Sequence, residues 1–149
     1  MTSLTFRNVD ADPSDDVTTW PYEALVTTID RGLVPDWQPI LREIRRSPWG
    51  RVARRVEHFL IYREPDGVGT LFRLAVDRAR SHADEADRSA AAVRIRRAVE
   101  RSGLTQAQCA ELVGTSASRL STYLTGKVTP SAAMLVRLER MADDGPAVG

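Results

Sequence analysis

Cysteine is nearly absent from this chain of 149 residues, since Cys109 is the only one. A single thiol cannot form an intramolecular disulfide or supply the paired Cys spacing of a structural zinc site. No apolar run approaches the roughly 20 residues of a membrane helix. The first residues are rich in Asp, where a secretory leader would be basic and then apolar. We therefore expect a cytoplasmic protein with no membrane contact.

Motifs of catalysis are also missing. The sequence contains no glycine-rich phosphate loop and no nucleophile elbow, and His58 and His82 are far apart in the sequence. The stretch "SHADEAD" brings His82 close to Asp84, Glu85 and Asp87, which is a conceivable metal cluster. Such a polar stretch on a helix is more typical of a solvated surface. We expect no enzyme activity, no metal and no cofactor.

Lysine is scarce and charge is unevenly distributed. Lys127 is the only lysine among 21 basic side chains. Residues 31–63 contain eight basic and three acidic side chains, and residues 89–140 contain the same numbers. Residues 1–20 contain four Asp and one Arg. Clustered charge of this kind indicates binding partners and does not indicate a fold.

The hydrophobic pattern predicts an all-α protein, because helical periods recur and no segment alternates like a strand. We expect a flexible acidic tail over 1–18, with a short ordered piece at "LTF" as an alternative. A helical domain follows over 19–82 whose role is open, either dimerisation or partner binding. Residues 83–89 form either a linker or a continuous helix. A second helical domain follows over 90–142, and a flexible tail over 143–149.

Within the first domain, Asp36 and Ser47 precede amphipathic segments and are expected to be helix N-caps. Trp20, Trp37 and Trp49 are expected in the core, with the possibility that one of them is exposed for a partner.

Six arginines lie on the two helices around Ser47, and three interpretations remain open. They can form a second phosphate-binding surface, a docking face for an acidic protein, or an ordinary solvated face. The six are Arg42, Arg45, Arg46, Arg51, Arg54 and Arg55.

Residues 104–130 predict a helix-turn-helix. Two short amphipathic segments are separated only by Gly114, Thr115 and Ser116. Two helices joined by so short a turn with a glycine place the second helix where it can enter the major groove of DNA. The outward side chains of that helix are small and polar, as close approach to base edges requires.

Five local features in this segment occur at matching spacings: "LTQAQ", "AELVG", Ser116 at the start of the next helix, "YLTGK" and "TP". Together they resemble the Xre/Cro-type helix-turn-helix of phage repressors and their bacterial relatives, over about residues 90–141. The resemblance implies sequence-specific binding of double-stranded DNA by a dimeric repressor. Cys109 departs from the family's usual aliphatic residue and is expected to pack as a small hydrophobe.

The resemblance also implies roles for individual residues. Base contacts fall on Ala117, Ser118, Arg119, Ser121 and Thr122. Phosphate contacts fall on Gln106, Ser116 and Lys127. The chemistry is compatible, because an arginine can read guanine, an alanine can touch a thymine methyl group, and hydroxyls can hydrogen-bond to several bases.

The layout of a repressor-like domain behind a separate helical domain resembles antitoxins of toxin–antitoxin modules. This resemblance implies a protein that represses its own operon and binds a toxin through residues 20–80. The alternative is a protein-interaction module whose helix-turn-helix no longer binds DNA.

Overall fold

The structure is a computed structural model, and it describes residues 4–7 and 10–144. No strand occurs in these residues, so the predicted all-α class is confirmed. The elements are a 3₁₀ helix η1 (Val17–Thr19) and the helices α1 (Tyr22–Arg31), α2 (Val34–Arg46), α3 (Arg51–Ile61), α4 (Gly67–Ser102), α5 (Gln106–Val113), α6 (Ala117–Leu124) and α7 (Ala132–Asp144). None of the described helices has a stretch apolar enough over the length needed to cross a membrane.

The chain divides into two compact units, Met1–Ala83 and Asp84–Gly149. The boundary falls inside α4, which is helical throughout residues 83–89. Residues 84–90 are all exposed. This explains why their sequence is mainly polar and lacks the helical repeat of large apolar residues that marks a buried face. Of the two alternatives for this stretch, the structure has the continuous helix.

The core of the N-terminal unit is built from bulky side chains of η1, α1, α2, α3 and the first half of α4. Phe72 is fully buried and its ring packs edge-on against Trp37, with 5.6 Å between the ring centroids. The indole N–H of Trp37 donates to the carbonyl of Thr28 at 2.9 Å. Trp20 is also buried, whereas Trp49 is 49% exposed, so the expectation of a buried indole does not hold for Trp49.

Two helices begin at places that differ from the sequence expectation. α2 begins at Val34, and Asp36 lies in its first turn, where its carboxylate accepts a hydrogen bond from the N–H of Leu33 at 2.8 Å. Ser47 ends α2, because its N–H donates to the carbonyl of Glu43. A turn then closes from Ser47 to Gly50 before α3 begins. Asp and Ser were expected to precede these helices, whereas Asp36 lies inside the first turn of α2 and Ser47 lies at its carboxyl end.

The described part of the segment expected to be a flexible tail packs against the N-terminal core. The ring of Phe6 lies edge-on to Trp20, with 5.2 Å between centroids, and Val17 is buried. Asp16 caps η1, and the hydrogen bond from the N–H of Thr18 lowers the pKa of its carboxyl. Apolar residues scattered among the aspartates provide this packing. Residues 1–3, 8 and 9 lie outside the described residues, as does the second expected tail beyond Asp144.

Arginine side chains connect distant parts of the N-terminal unit. Arg55 donates to the carbonyl of Trp20 at 2.9 Å, and Arg80 donates to the carbonyl of Pro48 at 2.9 Å. Arg63 pairs with Asp30 and with Asp66. Its hydrogen bond to Asp66 is the main reason that the pKa of that carboxyl is lowered. These contacts make several arginines part of the fold.

The core of the C-terminal unit is smaller and mainly aliphatic. Ile95 from α4, Leu120 from α6 and Leu138 from α7 are fully buried together. Cys109 of α5 is buried among them, and its sulfur lies 3.4 Å from the hydroxyl oxygen of Ser102. This core holds α5 and α6 in a fixed arrangement, which positions the candidate site.

Candidate nucleic-acid interface

The start of α5 is fixed by reciprocal capping. The hydroxyl of Thr105 accepts a hydrogen bond from the N–H of Gln108 at 3.2 Å, and the side-chain oxygen of Gln108 accepts one from the N–H of Thr105 at 2.9 Å. Such a capping box satisfies two backbone donors that an exposed helix end would leave free. The short helix therefore begins at one defined residue.

The turn between α5 and α6 depends on a left-handed residue. Gly114 has φ of 80°, a conformation that costs other L-residues roughly 1–2 kcal/mol. The next N–H, that of Thr115, donates back to the carbonyl of Ala110 at 2.9 Å. Ser116 then caps α6 by accepting from the N–H of Arg119 at 3.1 Å. The predicted turn residues thus each have a specific part in reversing the chain.

Burial separates the two faces of α6. Leu120 and Tyr123 point into the core, and Leu124 packs partly against it. The five residues predicted to contact bases are left on the outside. Ala117, Ser118, Arg119 and Ser121 are exposed, and Thr122 is half-buried. The structure therefore brings all five to one short helix, although their contacts with DNA remain a prediction.

Arg119 is the one charged group on this outer face, and a neighbour orients it. Its Nε donates to the hydroxyl of Tyr123 at 3.2 Å, and the guanidinium carbon lies 6.0 Å from the centre of that ring. The two terminal nitrogens of Arg119 are left to act as a fork, the geometry that reads guanine O6 and N7. The contact of Tyr123 with Arg119 was not predicted, although a spacing of four residues is typical of a side-chain pair on a helix.

The hydroxyls on the outer face are partly engaged within the chain. Thr122 donates its proton to the carbonyl of Arg119 at 2.6 Å, so its oxygen is available to DNA as an acceptor. The hydroxyl oxygen of Ser118 lies 3.2 Å from that of Ser116. An acceptor at Thr122 suits the amino groups of cytosine or adenine.

Two of the residues predicted to contact phosphate, Gln106 and Ser116, have structural contacts near the amino end of α6. The amide nitrogen of Gln106 donates to the carbonyl of Ala117 at 3.1 Å, which ties the start of α5 to the start of α6. One further N–H of this amide remains for a phosphate. Ser116 is the cap of α6, as described above. Sequence reasoning assigned Gln106 to phosphate alone and missed its structural contact.

Lys127, the third of them, lies exposed in the loop after α6. This loop folds back on the helix, since the N–H of Val128 donates to the carbonyl of Thr122 at 3.1 Å. The lysine is therefore held near the carboxyl end of α6. Arg96 of α4 also reaches this end and donates to the carbonyl of Leu124 at 2.7 Å, a contact that the sequence did not suggest.

The six arginines around Ser47 do not share one environment. Arg46 pairs with Glu43 of its own helix, and Arg55 is bonded to the carbonyl of Trp20. Arg45 lines an apolar groove beside α4. All of the six except Arg55 are exposed, including Arg45 and Arg46. Five of the six arginines are therefore accessible to a partner, and their role as a second basic surface stays a prediction.

The cluster around His82 gains no support as a metal site. In the part of the chain that the structure describes, no group of three or more His, Cys, Asp or Glu side chains is arranged to hold a metal ion.

Comparison with known proteins agrees with the geometry of the second unit. Residues 90–143 match the family model of a helix-turn-helix domain. The chain matches no curated protein and no solved structure. The predicted helix-turn-helix is therefore confirmed, while the finer resemblance to Xre/Cro repressors stays a prediction. The C-terminal unit of this chain carries a helix-turn-helix domain, which indicates a DNA-binding regulator.

Proposed function

We propose that this chain is a dimeric transcriptional repressor of the Xre/Cro type, which places α6 in the major groove of double-stranded DNA in the cytoplasm. The observation that carries the proposal is the outer face of α6, where short side chains surround the free fork of Arg119. Short side chains let the helix backbone approach the base edges, and the fork supplies discrimination for guanine.

Phosphate contacts at both ends of the helix would set its register. The cap at Ser116 and the remaining N–H of Gln106 lie near the amino end of α6, and Lys127 lies near its carboxyl end. Contacts of this kind position a recognition helix without reading sequence. Two copies would read two half-sites about 34 Å apart, which is one helical turn of DNA.

We further propose that the N-terminal unit binds a protein partner, as in an antitoxin that represses its own operon. The specific support is an apolar groove on this unit, which the DNA-binding role leaves without a use. A toxin is the partner that the layout suggests.

The decisive experiment is selection of bound duplexes from a random library by the full chain and by Arg119→Ala. We expect a repeated or palindromic motif for the wild type, and loss of preference at one base pair per half-site for the variant. Such a contact discriminates between bases by about 1–3 kcal/mol. Arg137→Ala is the matched control, because it removes an exposed arginine of α7 outside the site.

Lys127→Ala separates phosphate contacts from base contacts. We expect weaker binding to all sequences alike, with the slope of log affinity against log salt reduced by about 1. Absence of any enriched sequence would contradict the proposal and favour an interaction module that has lost DNA binding. A single unrepeated half-site would contradict the dimer alone.

A further inference from the structure

A groove runs along the first half of α4, on the side where α2 packs. Its volume is about 1010 Å³, and its apolar lining includes Leu41, Leu71, Leu74 and Ala75. Leu71 and Leu74 are 41% and 48% exposed, although Phe72 on the same helix is fully buried. Large apolar side chains that line a concave surface are typical of binding sites for other molecules.

The dimensions of the groove suit a helix. The lining residues of α4 extend from Gly67 to His82, and over this distance the helix axis rises by roughly 22 Å. They recur at spacings of three and four residues, so they form one continuous stripe along α4. A partner helix of about four turns would lie along this stripe and bury its own apolar face there, as in other helix-in-groove complexes.

The charges around the groove are of one sign. Arg45 on α2 and Arg78 on α4 line it, and no carboxylate is among the lining residues. The ion pairs found in residues 4–7 and 10–144 include neither of these arginines. Both guanidinium groups are therefore available to acidic side chains at the edges of an occupant. Complementary charge of this kind selects a partner and its orientation.

We propose that this groove binds an amphipathic, acidic helix of a partner protein. The apolar face of that helix packs on Leu71 and Leu74, and carboxylates along its edges pair with Arg45 and Arg78. The inference rests on the proposed function in one respect, since it gives the partner-binding half of the regulator a defined surface and a defined kind of ligand.

The test is selection from a display library of helical peptides about 16 residues long, which matches the length of α4 along the groove. The full chain serves as bait. We expect enrichment of peptides with leucine or isoleucine at helical spacing and with Asp or Glu beside that stripe. An enriched peptide is then synthesised, and its affinity is measured by fluorescence anisotropy.

Variants of the groove and of a separate surface provide the comparison. Leu74→Asp should lower the affinity for the peptide at least about tenfold, because it removes a central apolar contact. Arg78→Glu should weaken it by up to about fivefold, and a peptide with Lys in place of its acids should recover binding to that variant. Ile61→Asp and Arg73→Glu are the matched controls, because these residues line a different depression. Both should leave affinity unchanged within about twofold.

Several results would overturn the proposal: no enrichment, enriched peptides without acidic edges, or binding that survives Leu74→Asp in a variant with unchanged circular dichroism. If sedimentation shows a dimer for the wild type and a monomer for Leu74→Asp, the groove would instead bind a second copy of the chain. DNA binding is measured on every variant. Retained DNA binding with no peptide binding would reject the groove alone, and peptide binding without any DNA binding would reject the proposed repressor.

Discussion

In the C-terminal unit, the amino ends of α5 and α6 are stabilised by groups close in sequence, Thr105 with Gln108 and Ser116 with Arg119. In the N-terminal unit, Arg55 and Arg80 bond to carbonyls more than 30 residues away. The cores differ too, since the first unit buries Trp and Phe side chains and the second is mainly aliphatic. One unit can thus be identified from short local motifs, while the other depends on contacts that no local motif contains.

This difference explains why sequence motifs predict a specific function for the C-terminal unit and leave the role of the N-terminal unit open. A helix-turn-helix requires a cap, a left-handed turn and small outer residues at set spacings. Each requirement favours a particular residue type at a particular position, which can be recognised in the sequence. The sequence of a basic stretch looks the same whether its arginines bind phosphate, a partner protein or carbonyls of their own chain. Arg55 and Arg80 show the last of these uses, because they bond to backbone carbonyls of the N-terminal unit. Arg63 instead pairs with the carboxylates of Asp30 and Asp66.

The largest expected effect comes from removing one core side chain from each unit. Phe72→Ala should cost the N-terminal unit about 3–5 kcal/mol of unfolding free energy, because it deletes a fully buried ring that packs on Trp37. Leu120→Ala should cost the C-terminal unit about 2–5 kcal/mol. Hydrogen exchange measured by mass spectrometry would locate the loss of protection within each unit.

All three tryptophans lie in the N-terminal unit, so their fluorescence provides an independent check. The unfolding transition followed by tryptophan fluorescence should shift to lower urea in Phe72→Ala. It should be unchanged in Leu120→Ala. Loss of protection across both units in either variant would show that they unfold together and would remove the contrast between them.

A smaller effect on stability is expected from replacing an arginine that bonds to the fold, compared with replacing an exposed one. Arg55→Gln should lower the stability of the N-terminal unit by about 1.5 kcal/mol, because it removes a charged donor from the carbonyl of Trp20. Arg54→Gln, one position earlier on an exposed site, should change stability by less than about 0.5 kcal/mol. Urea unfolding followed by tryptophan fluorescence measures both.

The same two variants sharpen the interpretation of the basic stretch. If Arg54→Gln lowers the affinity for random duplex DNA and Arg55→Gln does not, the exposed arginines form a second phosphate-binding surface. Equal destabilisation by the two variants would contradict the structural role assigned to Arg55.

The smallest expected effect is an acid dependence of the stability of the N-terminal unit. The pKa of Asp66 is lowered by its hydrogen bond to Arg63, and that of Asp12 by the N–H of Ser14. A carboxylate with a lowered pKa stabilises the fold above its unfolded value of about 3.9, and this contribution is lost as pH falls through the folded pKa. Tryptophan-monitored unfolding should therefore shift to lower urea between pH 5 and pH 3.

Asp66→Asn should reduce that shift, since the variant has no carboxyl to protonate at this site. An identical shift in the wild type and in Asp66→Asn would mean that other carboxylates cause the acid sensitivity.

Much of the candidate site could be predicted because its requirements are local. The sequence predicted an outer face that contains Arg119, and this residue is exposed while Leu120 on the opposite face of α6 is fully buried. The hydrogen bonds of Arg119 to Tyr123 and of Gln106 to Ala117 were not predicted, since they depend on how α5 and α6 pack. The start of α3 was misplaced because Ser47 suits either end of a helix, and only the closing turn to Gly50 distinguishes them.

By itself, the sequence determined the all-α class and the turn at Gly114, together with the outer face of α6. Each follows from hydrophobic period, capping chemistry and backbone sterics within a few residues. Only the tertiary structure decided which arginines bond to carbonyls of their own fold and which line a groove. The reason is physical: these roles depend on distances between groups remote in sequence, and the packing of the N-terminal core sets those distances.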